Sequence, residues 1–374
     1  SRINNLNVTK IGKTLLLLHP TVILGGKLLG VNLTPIIVKK TITLEHLRGK
    51  SLAVDANNYL YQFLALIRTP EGTPLKDSQG NITSHLAGLM FRTTRLIHDY
   101  GIRLIFVFDG EPPKLKEQEI QKRRELREKA TLEWRKALEK GDYEKAFSKA
   151  VMTSRLTKSM INDSKRLLDL LGIPYAQAPE EAEAQAAHMA IKGDVWASSS
   201  KDYDTLLFGS PRLVRYLTIY GKEFLPSKGT SRPLKPELIN LNRLLSKHNI
   251  TREQLVDLAI LIGTDFNHGI EGVGPKTALR LLKKHGKIEN LPSEIASKVP
   301  HYYEDIRKIF LNPKTTPNYT LNYTTLREDE LYNFLCNERG FSRQRVEKVV
   351  QRMKKISLSQ KQKRLEKWLL DKAS

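Results

Sequence analysis

The chain contains 374 residues, of which 40% are hydrophobic and 27% are charged. This length is enough for a substantial core, in one large domain with insertions or in two smaller domains. The formal net charge of +22 predicts a polyanionic partner, either a nucleic acid or an anionic membrane surface. No segment approaches the roughly 20 apolar residues needed to span a bilayer, which favours DNA or RNA over a membrane. The alternative is a basic protein without such a partner.

The first 29 residues differ from the rest because they contain no acidic residue, and the first acid of the chain is Glu45. The apolar run Leu15–Leu18 is too short for a signal peptide, and no small-residue cleavage site follows it. The only cysteine is Cys336, which excludes an intramolecular disulfide and a cysteine-built zinc site. We therefore predict an intracellular, cytoplasmic protein with an N-terminal extension at residues 1–29.

Three short apolar runs predict buried parallel strands at Ser51–Val54, Leu104–Phe108 and Val195–Ser198. Helical patterns separate them, so the fold class is α/β, with a central, mostly parallel sheet flanked by helices. Asp55 follows the first run, as an aspartate also follows each of the other two. Because ligands bind beyond the carboxyl ends of strands in open α/β sheets, we expect these aspartates to meet at one edge of the sheet.

Residues 113–165 predict a helical insertion between the second and third of these runs. The segment Gln118–Lys140 is rich in Glu, Lys, Arg and Ala and has few apolar residues, as in a solvated helix. The alternative is a helix lying on the surface of the main domain.

Two acidic pairs follow the insertion. Glu181 and Glu183 come just after Pro179, a residue well suited to the first position of a helix, so these acids could simply complement a helix dipole. On a regular helix they would lie roughly 200° apart, and they share a site only if the first turn is distorted. Asp202 and Asp204 would share one face in an extended stretch.

Residues 251–290 predict a pair of helices joined by a glycine-rich turn. An apolar helix at Leu255–Ile262 is followed by Gly272-Val273-Gly274-Pro275-Lys276. Glycines allow the backbone to approach a phosphate closely, and Pro275 is typical of a helix start whose amide groups would face the anion. The unit would hold the DNA backbone without distinguishing bases. The alternative is a helical hairpin that binds nothing.

Seven carboxylates form the candidate catalytic set. Gathered at one site they would repel one another, and their pKa values would rise unless a bound cation offset the charge. Hard oxygen ligands select Mg²⁺ or Mn²⁺, and two such ions can activate a water and stabilise the leaving oxygen of a phosphodiester. The set is Asp55, Asp109, Glu181, Glu183, Asp202, Asp204 and Asp265.

These motifs, in this order and spacing, resemble the archaeal flap endonucleases, a family of structure-specific 5′ nucleases. The resemblance runs from Gly30, which matches the family's N-terminal glycine, and covers about nine-tenths of the chain. It rests on Ala53-Val54-Asp55-Ala56, Val107-Phe108-Asp109-Gly110-Glu111-Pro112-Pro113, Glu181-Ala182-Glu183, Lys201-Asp202-Tyr203-Asp204, Gly263-Thr264-Asp265 and the glycine-rich turn. It implies a nuclease domain at 30–356 with a helical arch at about 113–165 and a helix–two-turn–helix unit at about 251–290.

The resemblance also implies roles for individual residues. The seven acids would hold two Mg²⁺ ions, with Mn²⁺ able to replace them, and backbone oxygens of the 251–290 unit would hold a K⁺ ion. Lys116 and Arg123, at the foot of the arch, would contact the scissile phosphate and would be catalytic together with Asp55, Asp109 and Glu181. Tyr61 would stack on a base, and the other DNA-binding residues would be Arg68, Gly272, Gly274 and Lys276.

The tail, residues 357–374, is polar and basic, and we expect it to be flexible until it binds a partner. Gln362, Leu365, Trp368 and Leu369 have the spacing of a sliding-clamp-binding peptide, in which Leu365 and Trp368 would share one face of a helical turn. Leu369 departs from the family pattern, which has a second aromatic residue there. The alternative is a frayed terminal helix.

The implied function is cleavage of DNA at the base of 5′ flaps, with 5′–3′ exonuclease activity, in Okazaki fragment processing and repair. The implied partners are 5′-flap DNA and a sliding clamp, with the chain acting as a monomer away from membranes. One alternative is a non-catalytic scaffold for branched DNA, although such relatives usually lack several of the acids. Another is a bubble- or gap-cutting nuclease, which would carry a different segment between the strands.

Overall fold

The structure, a computed structural model, describes residues 30–69, 72–218, 222–225 and 230–356. The strands in these ranges are β1 (Lys39–Thr41), β2 (Ser51–Asp55), β3 (Arg103–Phe108), β4 (Tyr175–Gln177), β5 (Ala197–Ser199), β6 (Arg212–Arg215), β7 (Lys222–Leu225), β8 (Thr230–Pro233), β9 (Glu237–Asn240), β10 (Gly263–Thr264) and β11 (Asn267–His268).

The helices are α1 (Ala56–Leu66), α2 (Ser84–Gly88), α3 (Thr94–Tyr100), α4 (Glu117–Glu139), α5 (Tyr143–Met152), α6 (Lys158–Leu171), α7 (Ala182–Ile191), α8 (Asp204–Leu207), α9 (Leu241–His248), α10 (Arg252–Ile262), α11 (Pro275–His285), α12 (Ser293–Ala296), α13 (Tyr303–Leu311) and α14 (Glu328–Tyr332). Short 3₁₀ turns lie at Glu45–Leu47, Lys114–Lys116 and Ile288–Asn290, and π-helical segments at Leu89–Thr93 and Asn333–Glu338. No helix within the described ranges is long and apolar enough to cross a membrane.

A seven-stranded sheet in the order β1-β9-β6-β5-β2-β3-β4 forms the centre of the described chain. The pairs β2–β3, β3–β4, β2–β5 and β5–β6 are parallel, whereas β9 is antiparallel to both neighbours. The α/β prediction, with a mostly parallel sheet, is therefore confirmed. After β2 the chain builds outward through β3 and β4 and then returns to place β5 on the other side of β2. A sheet that reverses direction in this way binds its ligand at that point, beyond the carboxyl ends of the strands.

Alternating residues of the strands pack on opposite faces of the sheet. Leu52 and Val54 belong to a core cluster that also contains residues of α1 and α6. Ala53, Ile105 and Val107 pack in a second cluster with the alanine-rich helix α7. This two-sided burial explains why the strands are continuous apolar runs, and it fixes the register that brings their carboxyl ends together.

The predicted insertion contains the long helix α4, in which Ala130 and Ala137 are the buried residues, and the helix α5 packed against it. Helix α6 begins at the N-cap Thr157, whose side chain accepts a hydrogen bond from the Met160 amide, and ends at the left-handed Gly172. Its first residues lie within the range 113–165, but its buried face belongs to the main core.

Helix α2 carries a buried histidine that should make the fold sensitive to acid. Both ring nitrogens of His85 are buried without a hydrogen-bond partner among the described residues, and burial lowers its pKa to about 3. In the unfolded chain the pKa is near 6.5, so between these values the unfolded state binds more protons and stability falls as pH falls. Because glutamine does not titrate, we expect His85→Gln to lose about 2 kcal/mol less of its free energy of unfolding than the native protein at pH 5.

The unfolding temperature of each protein is measured from pH 7 to pH 4. The effect is the difference between the two proteins in how steeply the unfolding temperature falls with pH. The exposed His301→Gln is the matched control, and its slope should follow the native protein. If the unfolding temperatures of the native protein and His85→Gln fell equally with pH, a neutral, buried His85 would be contradicted.

Candidate active site

Asp55 ends β2 and Asp109 follows the neighbouring parallel strand β3, and both are tied to the helices beside them. Asp55 is the N-cap of α1, and its Oδ1 accepts the Asn58 amide at 3.0 Å. Asp109 Oδ1 accepts the backbone N–H of Ala182, the first residue of α7, at 2.7 Å. Each carboxylate is thus held at the edge of the sheet by backbone contacts, as the sequence predicted for strand ends.

The Glu181–Glu183 pair reaches the site because the helix starts later than predicted. We expected Pro179 to be the first helical residue, and this was wrong: α7 begins at Ala182. Glu181 is the N-cap, with extended backbone angles of φ −80° and ψ 127°, whereas Glu183 lies in the first turn. The expected separation of roughly 200° therefore does not apply, because only one of the two acids is on the helix. Glu183 Oε1 accepts the Ser200 hydroxyl at 2.9 Å.

Asp202 and Asp204 follow β5, and this segment is not the extended stretch in which the two acids would share one face. Tyr203 has helical backbone angles, and Asp204 is the first residue of the one-turn helix α8. Asp202 Oδ2 accepts the side-chain amide of Asn58 at 2.7 Å, and Asp204 Oδ1 accepts the Val31 N–H at 3.0 Å. The charges of both carboxylates nevertheless act on Glu183, although the backbone turns between them.

Asp265 follows β10 and meets two cations from the foot of the insertion. Arg123 Nη2 lies 2.7 Å from Asp265 Oδ2, and Lys116 Nζ lies 3.3 Å from the same oxygen. Lys116 also donates to Glu181 Oε2 at 2.6 Å. The two cations predicted to act on a phosphate thus reach the acids directly, and they link the insertion to the edge of the sheet.

Electrostatic repulsion accompanies this arrangement, as the sequence predicted. Burial, together with neighbouring acids, raises the pKa of Asp55 and Glu183 well above their usual values. Burial, Asp265 and Asp202 raise the pKa of Asp204 to about 8. Asp265 is the exception: burial acts to raise its pKa, but Lys116 and Arg123 together hold it below the usual value. Burial also raises the pKa of the remaining members Asp109, Glu181 and Asp202.

The donor chemistry of this cluster fits a divalent metal. All seven members offer carboxylate oxygens, and the hard ions Mg²⁺ and Mn²⁺ prefer such ligands. The repulsion that raises the pKa values is what a bound dication would offset. Within the described ranges, however, no three acidic, histidine or cysteine side chains are arranged so that together they could hold a metal ion. Instead, Lys116 and Arg123 form ion pairs with carboxylate oxygens of Glu181 and Asp265 that could otherwise bind a metal.

Asn58 is a site residue that the sequence reading missed. Its side chain donates to Asp202 and accepts the Lys201 N–H at 3.2 Å, while its backbone amide binds Asp55. It therefore connects the acid after β2 with the acids after β5. Its position three residues after an N-cap aspartate was the available signal, because that amide is the one that an N-cap side chain binds.

Two residues predicted to contact DNA differ in how they are presented. Tyr61 is 37% exposed on α1, the helix whose N-cap is Asp55. Arg68 is half-buried: its Nε donates to Leu64 O, its Nη1 to Gly72 O and its Nη2 to the Ser154 hydroxyl. Burial lowers the pKa of Arg68 to about 10. Its guanidinium therefore connects the backbone at Gly72 with Ser154, two residues beyond the end of α5.

The 251–290 unit has the predicted form. Helix α10 begins with a capping box between Thr251 and Gln254, and α11 begins at Pro275 with Gly274 as its N-cap. Gly272 has a φ of 78°, and neither glycine faces any atom that a β-carbon would meet. Lys276 is exposed and lines a shallow surface depression with Leu279, Arg280, Lys283 and Lys284.

Two predicted features lie outside the described residues. They are the extension 1–29 and the clamp motif Gln362, Leu365, Trp368 and Leu369.

Comparison with known proteins identifies the family. Residues 29–130 match the XPG N-terminal domain and residues 172–265 the XPG I-region. Flap endonuclease 1 of Pyrococcus furiosus is 50% identical over 341 residues, which cover 91% of this chain and 99% of that protein. Flap endonuclease 1 of Archaeoglobus fulgidus is 45% identical over 340 residues, covering 91% of this chain and 100% of the relative. The chain belongs to the flap endonuclease family.

The solved structures agree with this assignment. The flap endonuclease-1 from Methanococcus jannaschii has 42% sequence identity and a TM-score of 0.69, covering 88% of this chain and 100% of that one. The catalytic core of Rad2 in complex with a DNA substrate, at 23% identity and a TM-score of 0.62, shares the fold. As a flap endonuclease the chain is a metal-dependent nuclease that hydrolyses phosphodiester bonds, which excludes the non-catalytic scaffold.

Proposed function

We propose that this flap endonuclease cuts DNA at the base of 5′ flaps with two Mg²⁺ ions, which Mn²⁺ can replace. The observation that supports it best is the group of seven carboxylates, of which Asp55 and Asp204 are buried, beside Lys116 and Arg123. The ligands would be the seven acids, Asp55, Asp109, Glu181, Glu183, Asp202, Asp204 and Asp265. When bound, the ions supply an activated water and stabilise the charge of the phosphodiester.

In this proposal the side chains at the foot of the insertion change partners when DNA arrives. Without DNA, Lys116 and Arg123 neutralise part of the charge of Glu181 and Asp265. The scissile phosphate would take over these cations, so that they stabilise its charge while the acids hold the metal. The helices α4 and α5 would form the arch through which a strand with a free 5′ end passes.

The remaining contacts would fix the duplex. Tyr61 would stack on a base, and Gly272, Gly274 and Lys276 would hold a backbone phosphate near a K⁺ ion bound by backbone oxygens. Arg68 would shape this surface through the chain it holds, since its three nitrogens already have protein acceptors. The chain would act as a monomer, with 5′–3′ exonuclease activity, in Okazaki fragment processing and repair in the cytoplasm.

The test is cleavage of end-labelled flap, bubble and gap substrates of equal length. We expect cleavage at the flap junction in Mg²⁺ and none in EDTA, with flap binding retained in both, because the acids act through the metal rather than through DNA contacts. Preferential cutting of the bubble or the gap would contradict the assignment to flaps. Cleavage that persists in EDTA would contradict the metal mechanism.

We further expect that deleting the tail from Gln360 onward leaves cleavage of free oligonucleotides unchanged and abolishes stimulation by a sliding clamp. The tail contains none of the sequence motifs that carry the seven acids, so its contribution would be to tether the enzyme at a high local concentration. Single-turnover rates with and without an archaeal clamp measure the effect.

The matched control for the deletion is the full chain carrying Leu365→Ala and Trp368→Ala, which keeps the tail's length and charge. It should behave like the deletion. Full stimulation of the double variant would show that Leu365 and Trp368 do not bind the clamp.

A further inference from the structure

Arg215, the last residue of β6, carries a guanidinium that lies inside the protein. The residue is 2% exposed and is among the largest fully buried side chains. Among the described residues it donates hydrogen bonds to Lys201, Tyr203, Tyr216 and Glu237. A charge in this position is costly unless it is well paired, and an apolar side chain would avoid that cost. Such a group therefore calls for a functional explanation.

Two of these bonds hold the loop that carries Asp202 and Asp204. Arg215 Nε donates to the backbone carbonyl of Lys201 at 2.7 Å, and Nη1 donates to the Tyr203 hydroxyl at 2.7 Å. The guanidinium also stacks 4.0 Å from the centre of the Tyr203 ring. Because Lys201 and Tyr203 flank Asp202, and Tyr203 precedes Asp204, the guanidinium binds the loop at two points through residues other than the acids.

The same loop is held by a second element. Asn58 of α1 accepts the backbone N–H of Lys201 at 3.2 Å and donates its amide to Asp202 at 2.7 Å. Both backbone polar groups of Lys201 are therefore bound, one by α1 and the other by β6. The position of Asp202 depends on this pair of contacts, because Lys201 is its neighbour in the chain.

The partners on the other side of Arg215 keep the guanidinium in one orientation. Glu237 Oε2 accepts from Nη1 at 3.0 Å, and Lys39 binds the other oxygen of the same carboxylate at 2.6 Å. The Tyr216 hydroxyl accepts from Nη2 at 2.9 Å, and its ring lies 4.6 Å from the guanidinium. Tyr216 has a φ of 57°, a left-handed conformation that is rare for an aromatic residue and persists only where the surroundings impose it.

We propose that Arg215 is a positioning residue for the divalent-metal site, which fixes the Lys201–Asp204 loop so that Asp202 and Asp204 present their oxygens in a constant geometry. The proposal rests on the metal-dependent function proposed above. Residues that orient metal ligands typically contribute about 10- to 100-fold in metal affinity or activity. A lysine in this place would keep the charge but would lose the planar set of donors that binds several acceptors at once.

The test compares Arg215→Lys with Arg307→Lys. Arg307 forms ion pairs with Asp257 and Glu289 away from the acid cluster, so its variant controls for lost stability. We expect Arg215→Lys to weaken Mn²⁺ binding to the DNA-free protein about 10- to 100-fold, measured by the EPR signal of free Mn²⁺. The Mg²⁺ concentration for half-maximal flap cleavage should rise in parallel, with flap affinity in EDTA unchanged. Arg307→Lys should lower the unfolding temperature and leave both metal measurements as in the native protein.

Tyr203→Phe is a milder variant for the case in which Arg215→Lys does not fold. It removes the hydroxyl that Arg215 and Thr34 share, and it should shift Mn²⁺ binding several-fold in the same direction. Unchanged Mn²⁺ binding in the folded variants would overturn the proposal and leave Arg215 with a purely structural role. A native protein that binds Mn²⁺ but cuts no flap would refute the proposed function alone, because Mn²⁺ binding still tests the role of Arg215.

Discussion

Asp202→Asn is expected to slow flap cleavage by about 10²–10³-fold while leaving flap binding nearly unchanged. In the proposed mechanism the substitution removes one anionic metal ligand and so weakens metal binding. The bound metal would stabilise the charge of the transition state by several kcal/mol, and a loss of about 3–4 kcal/mol corresponds to the expected factor in rate. The replacement has almost the same shape, and its side-chain oxygen can still accept the hydrogen bond from Asn58. Single-turnover cleavage and equilibrium binding of the same labelled flap measure the two effects.

Stability should distinguish this substitution from a general defect. Asp202 is partly buried near other acids, and burial raises its pKa, so removing one charge should not lower the unfolding temperature without metal. The matched control is Asp257→Asn, since Asp257 is a buried aspartate that is paired with Arg307 away from the site. We expect the control to lose stability and keep its activity. Near-native cleavage by Asp202→Asn would remove this residue from the ligand set.

The strands that carry the acids could be predicted because they are buried on both faces. Leu52–Val54 and Leu104–Phe108 are continuous apolar runs for that reason, and an aspartate after such a run lies at the edge of the sheet. The edge strands Lys39–Thr41 and Tyr175–Gln177 were missed. Each has three residues, and Lys39–Thr41 is exposed throughout, so neither has a periodic pattern. Their pairing depends on neighbours that are distant in the sequence.

The start of α7 could not be predicted because distant contacts decide it. Local preference favours a helix from Pro179. In the structure the Pro179 carbonyl accepts the Glu111 N–H and the Glu180 carbonyl accepts the Gly110 N–H, which keeps this segment out of the helix. Asp109 then accepts the Ala182 N–H and marks the first helical residue. A buried Arg215 behind the acid loop was equally invisible, because an arginine at the end of a strand is usually solvated.

The other large effect concerns the cations at the foot of the insertion. Lys116→Ala or Arg123→Ala is expected to reduce single-turnover cleavage by about 2–4 kcal/mol, or roughly 30- to 900-fold, because each would lose a stabilising contact with the phosphate. Flap affinity should fall much less, since many other cations contribute to a net charge of +22. Single-turnover cleavage and equilibrium binding of the same substrate are measured for each variant, and the loss of rate is compared with the loss of affinity.

The structure adds a second readout, because the same cations neutralise acids before DNA binds. Lys116 contacts both Glu181 and Asp265, so Lys116→Ala should bind Mn²⁺ at least as tightly as the native protein when DNA is absent. A variant that cuts slowly but keeps its metal has lost a contact with the substrate rather than its metal site. Lys114→Ala and Arg124→Ala are matched controls, as both residues are exposed on the same elements and are expected to behave like the native protein. Equal losses of binding and cleavage in Lys116→Ala and Arg123→Ala would instead place both residues in the general electrostatic surface.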